Sequence, residues 1–199
     1  MNAILLIGKN CDKLDIDYTN NYIIAIDSGV DYAIEHKIKI DLAIGDFDST
    51  KYDINSFDFK KIALNPIKDD TDTAAALNYT KDFDKVIIVG GIQGKRIEHF
   101  LANIMLLKNH KNVIMIDNNS KIFYVPNKLN ISKNPYKFIS FFALENVKNL
   151  YLSGFKYNLS GYNLDILDPL CISNEIILDN AIISYDQGIL IAIMSNNDN

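Results

Sequence analysis

Three polar clusters in this chain each follow directly on a short apolar run. Two are rich in aspartate and the third combines glycines with basic side chains: Gly45-Asp46-Phe47-Asp48-Ser49, Lys68-Asp69-Asp70-Thr71-Asp72, and residues 90–99 (GGIQGKRIEH). Carboxylates are the hard oxygen ligands that Mg²⁺ prefers, and glycines with Lys and Arg are the parts of phosphate-binding loops. Acidic clusters repel phosphate unless a divalent cation lies between them. Together the clusters indicate a site for a metal and a nucleotide.

The two aspartate clusters also have ordinary structural explanations. Asp46 and Asp48 follow the apolar run Leu42-Ala43-Ile44, so they are expected at the carboxyl end of a strand, where open α/β sheets bind ligands. The alternative is an Asx turn that leads into a helix cap. For the second cluster the alternative is stronger, because acidic residues are common at helix N-termini. Two such clusters in one small domain nevertheless favour a shared cation, because like charges brought together need one.

The glycine cluster differs from a Walker A loop, because Lys95 is followed by Arg96 and not by Ser or Thr. Arg96 is a candidate for a bidentate phosphate contact, and His99 is predicted on the same side of the following helix. The alternative for Arg96 is a surface ion pair with Glu98. Asp27, which follows another apolar run, is a candidate nucleotide or metal contact, or else it caps the next helix.

Alternating strands and helices are predicted for the first part of the chain. Near-continuous apolar runs at 3–7, 22–26, 42–44, 62–64, 86–89 and 113–116 are typical of parallel strands that are covered on both faces. A helix is predicted over residues 72–81, with Asp70 or Thr71 as its N-cap. A second helix is predicted over residues 96–109, with Ile97, Leu101 and Ile104 on one face.

The later part of the chain has the pattern of a β-rich domain. Strands are predicted at 138–144, 147–153, 156–159, 170–172, 175–178, 181–185 and 189–194, with turns at Ser160-Gly161 and at residues 186–188. The predicted fold class is therefore α/β: an N-terminal Rossmann-like parallel-sheet domain (residues 1–128) followed by a small C-terminal all-β sandwich domain (residues 129–199).

Composition narrows the possible partners and compartments. The 199 residues carry a net charge of −5 with no basic stripe, which argues against a nucleic-acid partner. No apolar stretch approaches the roughly 20 residues that span a bilayer, and the first residues lack the basic start of a signal sequence. No membrane partner and a cytoplasmic location are expected. Cys11 and Cys171 lie too far apart for a metal-binding motif.

The clusters resemble, in order and spacing, those of the thiamine pyrophosphokinase (thiamine diphosphokinase) family. The resemblance is carried by Asp27-Ser28-Gly29, Gly45-Asp46-Phe47-Asp48-Ser49, Lys68-Asp69-Asp70-Thr71-Asp72, residues 91–99 and Ser173-Asn174, and it spans nearly the whole length. The chain departs from the family pattern at three positions: Ser28 and Lys95 replace glycines, and Glu98 replaces an aspartate.

The resemblance implies that ATP and thiamine are converted to AMP and thiamine diphosphate with the help of Mg²⁺. It implies catalytic roles for Asp46, Asp48, Asp69, Asp72 and Arg96, of which the four aspartates would hold the metal. Nucleotide contacts are implied for Asp27, Lys95, Arg96, Glu98 and His99. For thiamine it implies Ser173 and Asn174, and since the chain has no Trp, Tyr157 is the candidate aromatic platform. A homodimer with active sites at the subunit interface is also implied.

Two other functions remain open on the sequence. Asp46-Phe47-Asp48-Ser49-Thr50 also fits the Asp-x-Asp-x-Thr motif of haloacid-dehalogenase-like phosphatases, in which the first aspartate is phosphorylated. That motif belongs on a first strand, however, and here it begins only at residue 46. A nucleotide-sensing regulatory module without catalysis is the second alternative, and the departures at Lys95 and Glu98 are its best support.

Overall fold

The computed structural model describes residues 1–8, 11–65, 70–94 and 96–196, and these divide into two compact units. The first unit comprises Met1–Leu106 and Asn112–Asn118, and the second comprises Leu107–Lys111 and Asn119–Asn199. Strands pair in parallel in the first unit and antiparallel in the second, and the α-helices of the described residues all lie in the first. The fold is therefore mixed α/β and rich in sheet.

Among the described residues of the first unit, six parallel strands form its sheet. They are β1 (Asn2–Ile7), β2 (Tyr22–Ile26), β3 (Leu42–Gly45), β4 (Lys60–Ala63), β5 (Lys85–Gly90) and β6 (Val113–Ile116), in the spatial order β4-β3-β2-β1-β5-β6. Each coincides with a predicted strand to within two residues at either end. Ala3, Ile4, Leu5 and Leu6 of β1 are all fully buried, so both faces of this central strand are covered. This burial explains why its apolar run is continuous rather than alternating.

Three α-helices accompany this sheet in the described part of the chain: α1 (Gly29–Glu35), α2 (Asp72–Leu77) and α3 (Ile97–Leu106). Thr71 is the N-cap of α2, as its Oγ1 accepts a hydrogen bond from Ala74 N at 3.1 Å. Both α2 and α3 end earlier than the sequence predicts, and α2 passes into a single 3-10 turn at Asn78–Thr80. On α3 only part of the predicted apolar face is buried: Ile104 is, whereas Ile97 is 72% and Leu101 is 52% exposed.

The strand register brings the chemically interesting loops to one edge of this sheet. Ile7 of β1 pairs with both Ile26 and Gly90, and Ile26 in turn pairs with Ile44. The segments that follow β2, β3 and β5 therefore leave the sheet at the same level. The direction of strand order also reverses between β1 and β5, and such reversal points are where open α/β sheets bind ligands.

The second unit, as far as its residues are described, contains six strands: β7 (Ser120–Val125), β8 (Lys128–Ile131), β9 (Phe138–Ser153), β10 (Leu159–Leu164), β11 (Ala181–Ser184) and β12 (Gln187–Ser195). The 16-residue β9 pairs with β12 along its first half and with β10 and β11 along its second. Beyond these, β7 pairs with β12 and β8 with β11. Phe141 and Phe155 meet edge to face in the buried core.

Several strand predictions for this unit are wrong. The predicted strands 138–144 and 147–153 form one strand, because β9 continues through pairing irregularities on either side of Glu145, which itself pairs with Ile189 of β12. Ser160-Gly161 is no turn but a bulge inside β10, made possible by the positive φ of Gly161, +70°. The predicted strand 156–159 therefore contributes only Leu159 to a strand.

Residues 170–172 and 175–178 are not strands either. Leu170, Ile172 and Leu178 are exposed, so these apolar positions do not mark a buried sheet face, and only an isolated bridge joins Ile176 to Phe155. The strands β7 and β8 are absent from the prediction. Within the described ranges, no helix combines the length and the apolar character that crossing a membrane requires.

Candidate functional site

The segment that follows β3, residues 45–49, is called the acidic loop below. Asp48 N donates to Asp46 Oδ1 at 3.1 Å, so the Asx turn named above as an alternative is present. Phe47 N donates to Asp27 Oδ1 at 3.4 Å, which links the loop to the segment after β2. A Cβ on Gly45 would lie 1.8 Å from Asp27 Oδ1, so only glycine leaves room for this carboxylate. Asp27 and Asp46 are therefore neighbours at the sheet edge.

Negative charge is concentrated around Asp48. The pKa of Asp48 is raised chiefly by the charge of Asp46, with smaller contributions from desolvation and from Asp72. Asp48 is thus repelled by two of the other predicted metal ligands, Asp46 and Asp72, and a divalent cation would relieve that repulsion. Asp69 lies outside the described residues, and within the described ranges no group of three or more His, Cys, Asp or Glu side chains is arranged to hold a metal ion. The hard oxygen donors present suit Mg²⁺ in kind.

The glycine loop is fixed by close backbone contacts. Gly91 has φ +71°, and a Cβ there would lie 2.8 Å from Asn103 Nδ2 of α3. The same Asn103 amide donates to Gly91 O at 3.2 Å, and Asn103 is almost fully buried. Helix α3 therefore holds the loop through a buried amide.

The basic residues after the loop lie at the surface. Arg96 Nε donates to Glu98 Oε1 at 2.8 Å, and both side chains are exposed. This is the surface ion pair that the sequence allows as the alternative to a phosphate contact by Arg96. The hydrogen bond from Arg96 lowers the pKa of the Glu98 carboxyl, and the nearby His99 adds a small effect in the same direction. The structure therefore brings Arg96, Glu98 and His99 together; Lys95 lies outside the described residues.

Two of the three predicted thiamine contacts, all in the second unit, touch each other. Asn174 Oδ1 accepts hydrogen bonds from Tyr157 N at 3.0 Å and Glu175 N at 2.9 Å, and its Nδ2 donates to Tyr157 O at 2.7 Å. Asn174 is buried, whereas the Tyr157 side chain is 59% exposed with Lys156 Nζ 5.7 Å from its ring centre. Ser173 is exposed and its N donates to Ser140 Oγ at 2.9 Å. Asn174 thus anchors the backbone that carries an exposed aromatic ring.

Sequence reasoning missed Asp31 of α1, a fully buried carboxylate that hydrogen-bonds the chain just after the acidic loop. The sequence does carry a signal for it, because Asp31 stands among the apolar residues Val30, Tyr32 and Ala33. A charged side chain in such a buried segment requires hydrogen-bond or ion-pair partners. A groove of about 790 Å³ lies elsewhere in the first unit, at the amino ends of β2 and β3. Its described lining includes none of the predicted site residues.

Comparison with known proteins supplies the family. The model of the thiamin pyrophosphokinase catalytic domain matches residues 16–117, and the model of the thiamin pyrophosphokinase vitamin B1 binding domain matches residues 126–190. The chain belongs to the thiamine pyrophosphokinase family. The thiamine pyrophosphokinase of Bacillus subtilis (strain 168) is 35% identical over 192 residues, which cover 89% of this chain and 90% of that protein.

Solved structures of thiamine pyrophosphokinases share the fold. A thiamin pyrophosphokinase family protein from Enterococcus faecalis superposes with a TM-score of 0.86 at 27% identity, and each chain covers 99% of the other. The Bacillus subtilis thiamine pyrophosphokinase gives 0.84 at 29% identity with the same coverage. Neither a haloacid-dehalogenase-like phosphatase nor a nucleotide sensor is favoured by these matches.

Proposed function

We propose that this chain is a thiamine diphosphokinase, which transfers the diphosphoryl group of ATP to the hydroxyl of thiamine and releases AMP. Family membership supports the reaction. The observation that carries the location of the site is the common sheet edge at which Asp27, the acidic loop and the glycine loop leave β2, β3 and β5. A reaction of this kind depends mainly on positioning and on neutralising charge, and this edge supplies residues for both.

The proposed role of the acidic side chains is to bind a metal ion. Asp46, Asp48, Asp69 and Asp72 are the residues that would hold Mg²⁺, which would neutralise charge on the triphosphate. The raised pKa of Asp48 supports this assignment, because a carboxylate that is repelled by both Asp46 and Asp72 matches a cation better than an anion. Among these, Asp46 also fixes the loop through its Asx turn.

Phosphate binding is assigned to the glycine loop and the start of α3. Arg96 and Lys95 would bind phosphate oxygens as negative charge develops on the departing AMP. Arg96 is exposed and held by Glu98, so in this proposal Glu98 keeps the guanidinium beside the loop until phosphate competes for it. His99 would orient Arg96 or contact phosphate, and Asp27 would contact the nucleotide from the neighbouring strand end.

Thiamine binding is assigned to the second unit. Tyr157 would stack against a thiamine ring, since an electron-rich face attracts the cationic thiazolium, and Ser173 and Asn174 would hydrogen-bond the pyrimidine. Asn174 already uses its Oδ1 twice, so its remaining Nδ2 hydrogen is the group it can offer. In this proposal residues 1–128 would form a Rossmann-like domain that binds ATP, and residues 129–199 would form a β-sandwich domain that binds thiamine.

The proposal includes a homodimer in the cytoplasm, with active sites shared between subunits. Exposed apolar side chains on one face of α3 support an association: Ile97, Leu101 and Met105 are 72%, 52% and 67% exposed at a spacing of four residues. Light scattering of the purified protein tests the dimer, and a monomeric mass at micromolar concentration would refute it.

The decisive experiment incubates the purified chain with ATP, Mg²⁺ and thiamine and measures AMP and thiamine diphosphate by chromatography. Equal amounts of the two products are expected. ATP binding without turnover would favour the sensor, whereas phosphate release without ATP, together with a phosphorylated Asp46, would favour the phosphatase.

A further inference from the structure

One buried carboxylate of the first unit belongs to none of the ligand sets proposed above. Asp31 lies in the first turn of α1 with no exposed surface. Its Oδ1 accepts hydrogen bonds from Thr50 Oγ1 at 2.5 Å and from Lys51 N at 3.2 Å. A buried charge lowers stability unless such bonds compensate it. These two partners are the residues that immediately follow the acidic loop.

The next turn of α1 holds the same segment at its surface. Glu35 lies one turn after Asp31 on the same helix face and accepts a hydrogen bond from Lys51 Nζ. Both side chains of this second pair are substantially exposed, so its contribution is small. Helix α1 therefore contacts the segment after the acidic loop twice, through buried Asp31 and through exposed Glu35. Of the two contacts, the buried one can fix the position of that segment.

The acidic loop needs such fixing because its own backbone is strained. Phe47 has φ +61°, a left-handed conformation that is unfavourable for an aromatic residue and persists only where surrounding contacts impose it. Asp27 holds the loop at Phe47 N, and Asp31 holds it where it ends. Asp48 lies between these two points, and Asp46 directly precedes the first of them.

We propose that Asp31 is a positioning residue, which acts through Thr50 to hold the acidic loop so that Asp46 and Asp48 face the metal–nucleotide. The inference rests on the proposed function of that loop. Removal of a residue that orients metal ligands without touching the metal itself typically lowers metal affinity by about 10- to 100-fold. Neither Asp31 nor Thr50 needs to touch substrate for this effect.

The test compares three variants with the unchanged protein. Thr50→Val removes the hydroxyl and keeps the shape, Thr50→Ser restores the hydroxyl, and Glu35→Gln removes only the exposed pair. The primary measurement is calorimetric binding of Mg²⁺ with a non-hydrolysable ATP analogue, in the absence of thiamine. Thr50→Val is expected to weaken binding by about tenfold or more, Thr50→Ser is expected to recover most of it, and Glu35→Gln is expected to match the unchanged protein.

Two further readouts separate positioning from a merely structural role. The Mg²⁺ concentration for half-maximal activity should rise in Thr50→Val while the KM for thiamine stays constant. A lowered unfolding temperature with unchanged Mg²⁺–nucleotide affinity would overturn the proposal. If Thr50→Val does not fold, Asp31→Asn replaces it: this variant keeps an acceptor but removes the charge, and unchanged binding there would equally refute the inference.

The outcomes for the reaction and for the positioning role are distinguishable. If the unchanged protein binds the Mg²⁺–nucleotide but makes no thiamine diphosphate, the proposed reaction fails. Weaker binding in Thr50→Val would in that case still support the role of Asp31.

Discussion

Removal of the Asn174 side chain tests the assignment of the second unit most directly. In Asn174→Ala, Tyr157 N, Glu175 N and Tyr157 O all lose a partner. The backbone of residue 174 still exchanges both of its hydrogen bonds with Ile139 of β9, so the alanine keeps its position beside that strand. The perturbation is therefore confined to the segment that carries the exposed ring of Tyr157.

The expected loss of stability follows from the bonds removed. Each hydrogen bond of this kind contributes about 1 kcal/mol, so three give about 3 kcal/mol. Since Tyr157 lies at the surface, water can reach part of its backbone and reduce the loss to about 2 kcal/mol. The matched control is Asn158→Ala in the same connection, which removes one acceptor, for Phe155 N, and is expected to lose about 1 kcal/mol or less.

Urea unfolding measures the stability difference, and amide hydrogen exchange locates it. Exchange at Tyr157 and Glu175 should accelerate in Asn174→Ala and stay unchanged at the core of β12. The KM for thiamine should rise more than that for ATP, because Asn174 and Tyr157 are both proposed thiamine contacts. Equal stability of Asn174→Ala and Asn158→Ala, or unchanged exchange at these two amides, would refute the reasoning.

Three other predictions concern the acidic loop, the metal and a buried thiol. Asp72→Asn should nearly abolish turnover without loss of fold, and rates like those of the unchanged protein would exclude Asp72 from the metal ligands. Gly45→Ala must displace the Asp27 carboxylate, whose Oδ1 lies 1.8 Å from the new Cβ, so kcat/KM should fall; a fully active variant would contradict the contact. Burial raises the pKa of Cys171 to about 11 from an ordinary 9.0, so the folded state holds its proton longer than the unfolded state. Stability should therefore fall between pH 9 and 11, a loss that is absent from Cys171→Ala and measurable by urea titration at each pH.

Local chemistry made the first unit predictable. Strands such as β2 and β6 are apolar runs bounded by polar residues, and a parallel strand covered on both faces leaves that signature in any sequence. Thr71 was predictable as an N-cap for the same reason, since capping involves only neighbours along the chain. In the second unit, apolar runs predicted strands less well: Leu170 and Ile172 are apolar but exposed, and alternation alone does not distinguish them from core positions.

The sequence by itself determined the family, the strands of the first unit and the residue types that chemistry requires, because each depends on composition and short-range spacing. Only the tertiary structure decided which side chains meet. Strand register put Asp27 beside Gly45, a bulge kept β9 whole, and packing turned the amide of Asn174 toward Tyr157. Asp31 reaches Thr50 across 19 residues. Such contacts depend on how distant segments pair. A local sequence pattern can indicate that a carboxylate is buried, but it does not indicate which partner stabilises it.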